Sequence, residues 1–157
     1  MCIRDRLWLE IPEYIKAKAG VAVIYFAAMI NAGLGALVEE DLANTISTAW
    51  DETLVVLYGS IQSNNVVNQF EVSEKWAYFH PENAVLLAVL GKLAIQLGDT
   101  FKAESYLAKS IAAEPTVHAY QLLGDLLFVQ GDKDNAITCY KKGVELASNA
   151  VVNQITA

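Results

Sequence analysis

Proline and glycine are scarce, three and nine of 157 residues, which excludes a collagen-like or linker-like chain. Cysteine is scarcer: only Cys2 and Cys139 are present. With no CxxC spacing, two thiols build neither a disulfide framework nor a zinc site, and they lean toward a reducing compartment without deciding it. Positive charge is short as well: 11 Lys and Arg face 18 Asp and Glu, a formal net charge of -7. A chain this acidic lacks the basic field that holds phosphates, which argues against nucleic acid as a partner. The opening "MCIRDRLWLEIP" has no charged-then-apolar-then-small order, so it is not a signal peptide. Apolar alternation with period two is missing too, so no strand is needed to explain the pattern.

What is present is apolar. Hydrophobic residues make up 54% and charged residues 18%, enough for one domain with a core and too apolar for disorder. One run, Val21 to Val38, reaches 18 residues, the minimum for a membrane-spanning helix. Asn31 sits inside it, Gly33 and Gly35 interrupt it, and Glu39, Glu40 and Asp41 follow, so the run reads as a buried helical hairpin. Arg4, Asp5 and Arg6 abut Leu7-Trp8-Leu9 without a cap or turn. Residues 1–6 are therefore expected to be a non-native leader on a fragment whose true N-terminal part is missing. Residues 7–149 are expected to form one helical-repeat domain, and residues 150–157 a tail.

Two stretches repeat a sparse pattern. Gly91 and Gly124, Gly98 and Gly131, Asp99 and Asp132, and Ala103 and Ala136 are each 33 residues apart. A fixed period of this size marks stacked helix-turn-helix units. Gly98 and Gly131 follow long apolar runs, where a left-handed residue ends a helix without a Cβ clash. Asp99 and Asp132 then cap the next helix. Gly91 and Gly124 fall mid-helix, where glycine costs up to about 1 kcal/mol relative to alanine. That cost implies close approach of a partner helix, with Ala103 and Ala136 as its small residues and Leu107 and Tyr140 as bulk around the crossing. Pro115 is expected at the first position of the following helix. Upstream, Gly59 precedes Gly91 by 32 residues, and Gly33 precedes Gly98 by 65, close to two periods. Four helical hairpins follow, at roughly 13–49, 51–79, 82–113 and 115–147.

The spacing of Leu87, Leu90, Gly91, Ala94, Gly98, Ala103, Leu107, Ser110 and Pro115 resembles the tetratricopeptide repeat. The next unit repeats it with Tyr120, Leu123, Gly124, Leu127, Gly131, Ala136, Tyr140 and Gly143. Ala94 departs from an expected aromatic, and Ser148 stands where proline is usual. The resemblance implies an all-α fold, an α-α superhelix of about four hairpins. Over residues 8–147 the order of features (Trp8 and Pro12 ahead of the first helix, "YFAAMINAG", Leu57-Tyr58-Gly59, then "SEKWAYFHPENAVLLAVLGKLA") is similar to the C-terminal repeat region of the HemY family. That family consists of proteobacterial inner-membrane proteins linked to protohaem IX biosynthesis. The resemblance implies a membrane anchor in a missing N-terminal segment, this domain on the cytoplasmic side, and tetrapyrrole-biosynthesis enzymes as protein partners. It carries no catalytic motif, and no GxGxxG follows a strand.

The residues themselves offer little chemistry. His80 reads as a helix-end histidine beside the dipole. His118 lies in the first turn of a helix, where a haem or porphyrin ligand could be held, but no CxxCH and no second matched ligand accompany it. Cys139 reads as core packing, and Glu39, Glu40 and Asp41 as a solvated face. Asp125 and Asp132 have no partner histidine, and Ser60 and Ser63 no nearby base, so no nucleophile-base set and no cofactor site is expected. By the repeat register, the partner-groove candidates are Thr53, Val56 and Ser60, then Ala88, Lys92, Ile95 and Gln96, then His118, Gln121, Asp125 and Phe128. This mixed set suits a peptide or protein surface better than a single small anion. The expected function is a non-enzymatic interaction scaffold. A haem- or porphyrin-binding module and a general adaptor in envelope assembly or secretion are the alternatives.

Overall fold

The computed structural model describes residues 3–16, 18 and 20–156, with residues 3–6 as backbone only. Every regular element among them is helical: α1 (Ile3–Glu10), α2 (Glu13–Lys16), α3 (Val21–Asn31), α4 (Gly35–Thr48), α5 (Glu52–Ser60), α6 (Val66–Phe79), α7 (Ala84–Leu97), α8 (Thr100–Ala113), α9 (Val117–Val129) and α10 (Lys133–Thr156). The chain divides into two compact units, Met1–Val72 and Ser73–Ala157, with α6 carrying the boundary.

In the first unit the long apolar run is split, as its internal polar and glycine residues suggested. Gly33 adopts a left-handed φ of 76°. Its N–H reaches the Ile30 carbonyl at 2.9 Å, and the Leu34 N–H reaches that of Met29 at 2.9 Å. These two bonds satisfy carbonyls that the end of α3 would leave bare. Val38, Leu42 and Ile46, spaced at one helical face of α4, are buried, as are Phe26 and Met29 on α3. No helix among the described residues is long and apolar enough to cross a membrane.

Trp8 corrects the sequence reading: it lies inside α1 rather than ahead of the first helix. Its ring is 5% exposed and stacks on Tyr25 at 5.0 Å, with Phe26 at 4.9 Å and the Lys16 ammonium 5.3 Å from its centroid. α1 begins at Ile3, within the expected leader, of which Met1 and Cys2 lie outside the described residues.

The α5–α6 hairpin is closed differently. Ile61 ends α5 in extended conformation with no left-handed residue. The buried Gln69 amide, from the second turn of α6, donates to the Tyr58 carbonyl at 2.8 Å and the Ile61 carbonyl at 3.4 Å. Asn65 caps α6 by accepting from the Asn68 N–H at 3.1 Å. Ser63 ties the loop back to α4 by donating to Glu39 at 3.0 Å.

In the second unit the 33-residue period becomes contact. A Cβ placed on Gly91 would lie 2.6 Å from Leu107 Cγ and 3.5 Å from the Ala103 carbonyl oxygen; one on Gly124 would lie 2.6 Å from the Tyr140 ring. Bare glycine therefore lets α7 meet α8, and α9 meet α10, at the positions the period named. Gly98 (φ 76°) and Gly131 (φ 90°) are left-handed. The next residues, Asp99 and Asp132, accept from the backbone N–H of Lys102 at 3.0 Å and Asn135 at 3.3 Å. Ser110, fully buried, donates to the Ala84 carbonyl at 2.7 Å, fastening the open end of the α7–α8 hairpin.

Two expectations fail here. Pro115 is not the first residue of α9: Thr116 is the N-cap, accepting from the Ala119 N–H at 3.1 Å, and Pro115 precedes it. The ring still stops α8, because it cannot supply the next helical N–H. Residues 150–156, expected as a tail, continue α10 to Thr156. Ser148 occupies the position one period after Pro115, so nothing breaks the helix there.

Candidate functional site

The residues picked for a partner groove fall on the first helix of successive hairpins. On α5, Thr53, Val56 and Ser60 are exposed, Val56 at 52%. Asp51 spends its carboxylate on the Thr53 N–H at 2.8 Å, which fixes the start of that helix. Ser60 turns its hydroxyl back to the Leu57 carbonyl at 2.7 Å, leaving Val56 as the apolar contact of the trio.

On α7, Ala88, Lys92 and Ile95 are half-buried and Gln96 is exposed, a 4-3-1 spacing that keeps them on one face. The buried residues Leu87, Leu90, Gly91 and Ala94 take the faces turned into the unit. On α9, His118, Gln121, Asp125 and Phe128 are exposed at 3-4-3 spacing, and Phe128 shows 54% of its surface. α7 and α9 touch within the second unit, so their exposed faces are neighbours.

Asp125 is engaged within its own hairpin. Tyr140, half-buried on α10, donates its hydroxyl to the Asp125 carboxylate at 2.6 Å. That bond raises the Tyr140 pKa, with burial as the second cause. The remaining face reads cation, aliphatic and amide on α7, then imidazole, amide and aromatic on α9. Such a surface can bury an aliphatic or aromatic side chain and bond a peptide backbone around it. It offers no convergent set of charges for a small anion.

Other polar groups are structural. Tyr106 on α8 donates to Glu74 of α6 at 2.9 Å. Burial, and then that bond and the carboxylate charge, push its phenol up to about 12. Tyr58 is raised further, by burial first and by Glu39 second. The Cys139 thiol, buried against Leu127 and Ala136, is raised by burial. No cluster of three or more His, Cys, Asp or Glu side chains that could hold a metal ion occurs among the described residues. A cleft of about 380 Å³ in the first unit, lined by Trp8, Lys16, Asp41, Asn44 and Thr48, is open and mixed in character.

One exposed aromatic group escaped sequence reasoning. In "EKWAYFHPEN" Trp76 is 7% exposed, whereas Tyr78 and Phe79 stand 82% and 75% exposed, and Phe101 on α8 83%. Helical spacing turns Tyr78, two residues on, away from the Trp76 face, whereas Phe79, three residues on, is exposed as the last residue of α6.

Comparison with known proteins agrees with this geometry. Residues 117–149 match the tetratricopeptide repeat family. BBSome complex member BBS4 of Bos taurus is 30% identical over 125 residues, covering 78% of this chain and 23% of that protein. A TPR repeat-containing protein of Synechococcus elongatus is 32% identical over 115 residues, 66% of this chain and 28% of that protein. The chain thus spans about a quarter of the length of the curated relatives it matches. Among solved structures, a thermophilic TPR protein of Thermus thermophilus superposes with a TM-score of 0.73 at 16% identity, covering 92% of this chain and 81% of that one. MamA superposes at 0.66 with 18% identity, covering 88% and 85%. The last hairpin thus matches a tetratricopeptide repeat, and most of the chain shares the fold of these solved structures.

Proposed function

We propose that this chain is the protein-binding region of a longer membrane-anchored protein of the HemY type, serving haem or porphyrin biosynthesis by organising its enzymes. In this reading the anchor lies in a segment N-terminal to these residues, and the helical hairpins face the cytoplasm from a bacterial inner membrane. The observation that carries the scaffold role is the exposed α7–α9 face, where Ile95 and Phe128 offer apolar contact among Lys92, Gln96 and Gln121. The haem assignment rests on the ordered features from Trp8 to "EKWAYFHPENAVLLAVLGKLA". A curated relative named as a member of a multiprotein complex is in keeping with an assembly role.

Purified tetrapyrrole-biosynthesis enzymes titrated against this chain test the proposal. Micromolar binding that falls at least tenfold in Phe128→Asp is expected, since few aromatic anchors dominate such interfaces. Absence of binding to every enzyme of the pathway sinks the haem assignment and leaves the scaffold fold standing. Haem added to the chain alone should leave the Soret band where free haem puts it. A shift abolished by His118→Ala would replace the scaffold reading with direct haem binding.

A further inference from the structure

The second unit contains both halves of an interface that a single copy cannot form. α9 packs on α7 and α8 through a face bearing Ala119 and Leu126, both buried yet outside the core that α9 shares with α10. One period further on, Asn149-Ala150-Val151-Val152-Asn153-Gln154-Ile155 runs parallel to Thr116-Val117-His118-Ala119-Tyr120-Gln121-Leu122. Val152 stands at the place of Ala119, Gln154 at that of Gln121, and Ile155 at that of Leu122. These residues thus have the register of another hairpin's first helix. With Ser148 in place of proline they run straight on from α10 instead, and Val151, Val152 and Ile155 are 54%, 53% and 78% exposed.

The surface that such a helix would cover is also bare. Ile111 on α8 is half-buried, whereas its counterpart Val144 on α10 is 65% exposed. Open clefts of about 360 and 240 Å³ flank Val144 and Tyr140. Ile137, Val144, Val151 and Ile155 follow one another at intervals of seven, seven and four, a continuous apolar stripe along α10.

We propose that Ala150–Thr156 of one copy docks beside Val144 and Tyr140 of a second copy, and reciprocally, about a two-fold axis near Ala147 and Ser148. The cleft and the helix with its register lie on the same chain but cannot meet while α10 is straight. A self-complementary patch of this kind closes as an isologous dimer. Antiparallel pairing about that axis sets Val151 against Val144 and Ile155 against Tyr140. Charges do not oppose it: Lys141 falls opposite Gln154, Lys142 opposite Asn153 and Glu145 opposite Ala150. The stretch from Asn135 to Thr156 carries two Lys and one Glu, a local charge of +1 on a chain of -7.

Sedimentation equilibrium tests the proposal. A dimer is expected at micromolar concentration, and Val151→Asp or Val144→Asp should each weaken it at least about tenfold by burying a carboxylate in the seam, with helicity unchanged by circular dichroism. In a chain whose two native cysteines are replaced by serine, Val144→Cys with Val151→Cys should cross-link into a dimer under mild oxidation, and Val151→Cys alone should not. A monomer at millimolar concentration, a dimer indifferent to Val151→Asp, or cross-linking by Val151→Cys alone would overturn it.

Discussion

The two units close their hairpins by different chemistry. In the second, a left-handed glycine and the aspartate after it do everything within two residues: Gly98 with Asp99, and Gly131 with Asp132. In the first, α3–α4 uses the left-handed Gly33 without a side-chain cap, and α5–α6 uses no left-handed residue at all. There a buried amide from α6 stands in for the turn, bonding the carbonyls that the end of α5 leaves over. The comparison separates two requirements that the Gly-Asp pair meets together. A hairpin needs its terminal carbonyls satisfied, and it needs a chain reversal; a left-handed glycine meets both in the tight turns, whereas the longer 61–65 loop reverses without one and leaves the carbonyls to Gln69.

The sharpest way to break the comparison is at the helix crossings. Gly91→Leu should cost about 3 kcal/mol or more, because Leu107 is fully buried and has nowhere to go. Gly124→Leu should cost less, because half-buried Tyr140 can swing out by giving up its bond to Asp125. Urea unfolding of both variants checks the order, and equal costs would mean that the two crossings are equally rigid.

Gln69→Leu keeps volume but removes the donor from two carbonyls, and should cost about 1–3 kcal/mol. Hydrogen exchange should then quicken along α5 and α6 and stay slow in α9 and α10. Gly143→Ser tests the reverse. Position 143 is one period after Ser110, whose hydroxyl bonds the Ala84 carbonyl, and a Cβ there would lie 3.8 Å from the equivalent Val117 carbonyl oxygen with ordinary contact to Tyr120. Replacing a mid-helix glycine and adding that bond should stabilise by about 1 kcal/mol, seen as a higher urea midpoint.

The smallest effect is alkaline. The folded Tyr106 pKa stands at about 12 against an ordinary 10.0, so folding favours the neutral phenol. Its contribution is complete below pH 10 and is lost as pH rises from about 10 to 12. Tyr106→Phe should flatten the stability curve in that window and leave its slope near neutrality unchanged.

What the sequence disclosed followed from steric rules that act locally or at a fixed period. Gly91 meets Leu107 and Gly124 meets Tyr140 because a missing Cβ mid-helix opens room for a side chain of the facing helix. Gly98 and Asp99 were readable on equally local grounds, a helix stop followed by a cap. What escaped notice depends on tertiary surroundings. Gln69 looks like any exposed helical glutamine until the α5 carbonyls are placed beneath it. Trp8 and the short helices around it form in a stretch with no repeat to flag them. Pro115 shows the limit of a periodic argument: it fixed the boundary but not which residue caps it. Among the groove candidates, the diversion of Asp125 to Tyr140 was not readable because it depends on a hydroxyl reaching 15 residues back.

The glutamine closure also makes one spot on the molecule editable. Between Ile61 and Asn65 the reversal is held from outside the loop, and Gln62 and Asn64 point into solvent. A fluorophore or short epitope inserted there would ride on the hairpin without disturbing the bond that shuts it, whereas the two-residue Gly-Asp turns leave no such slack.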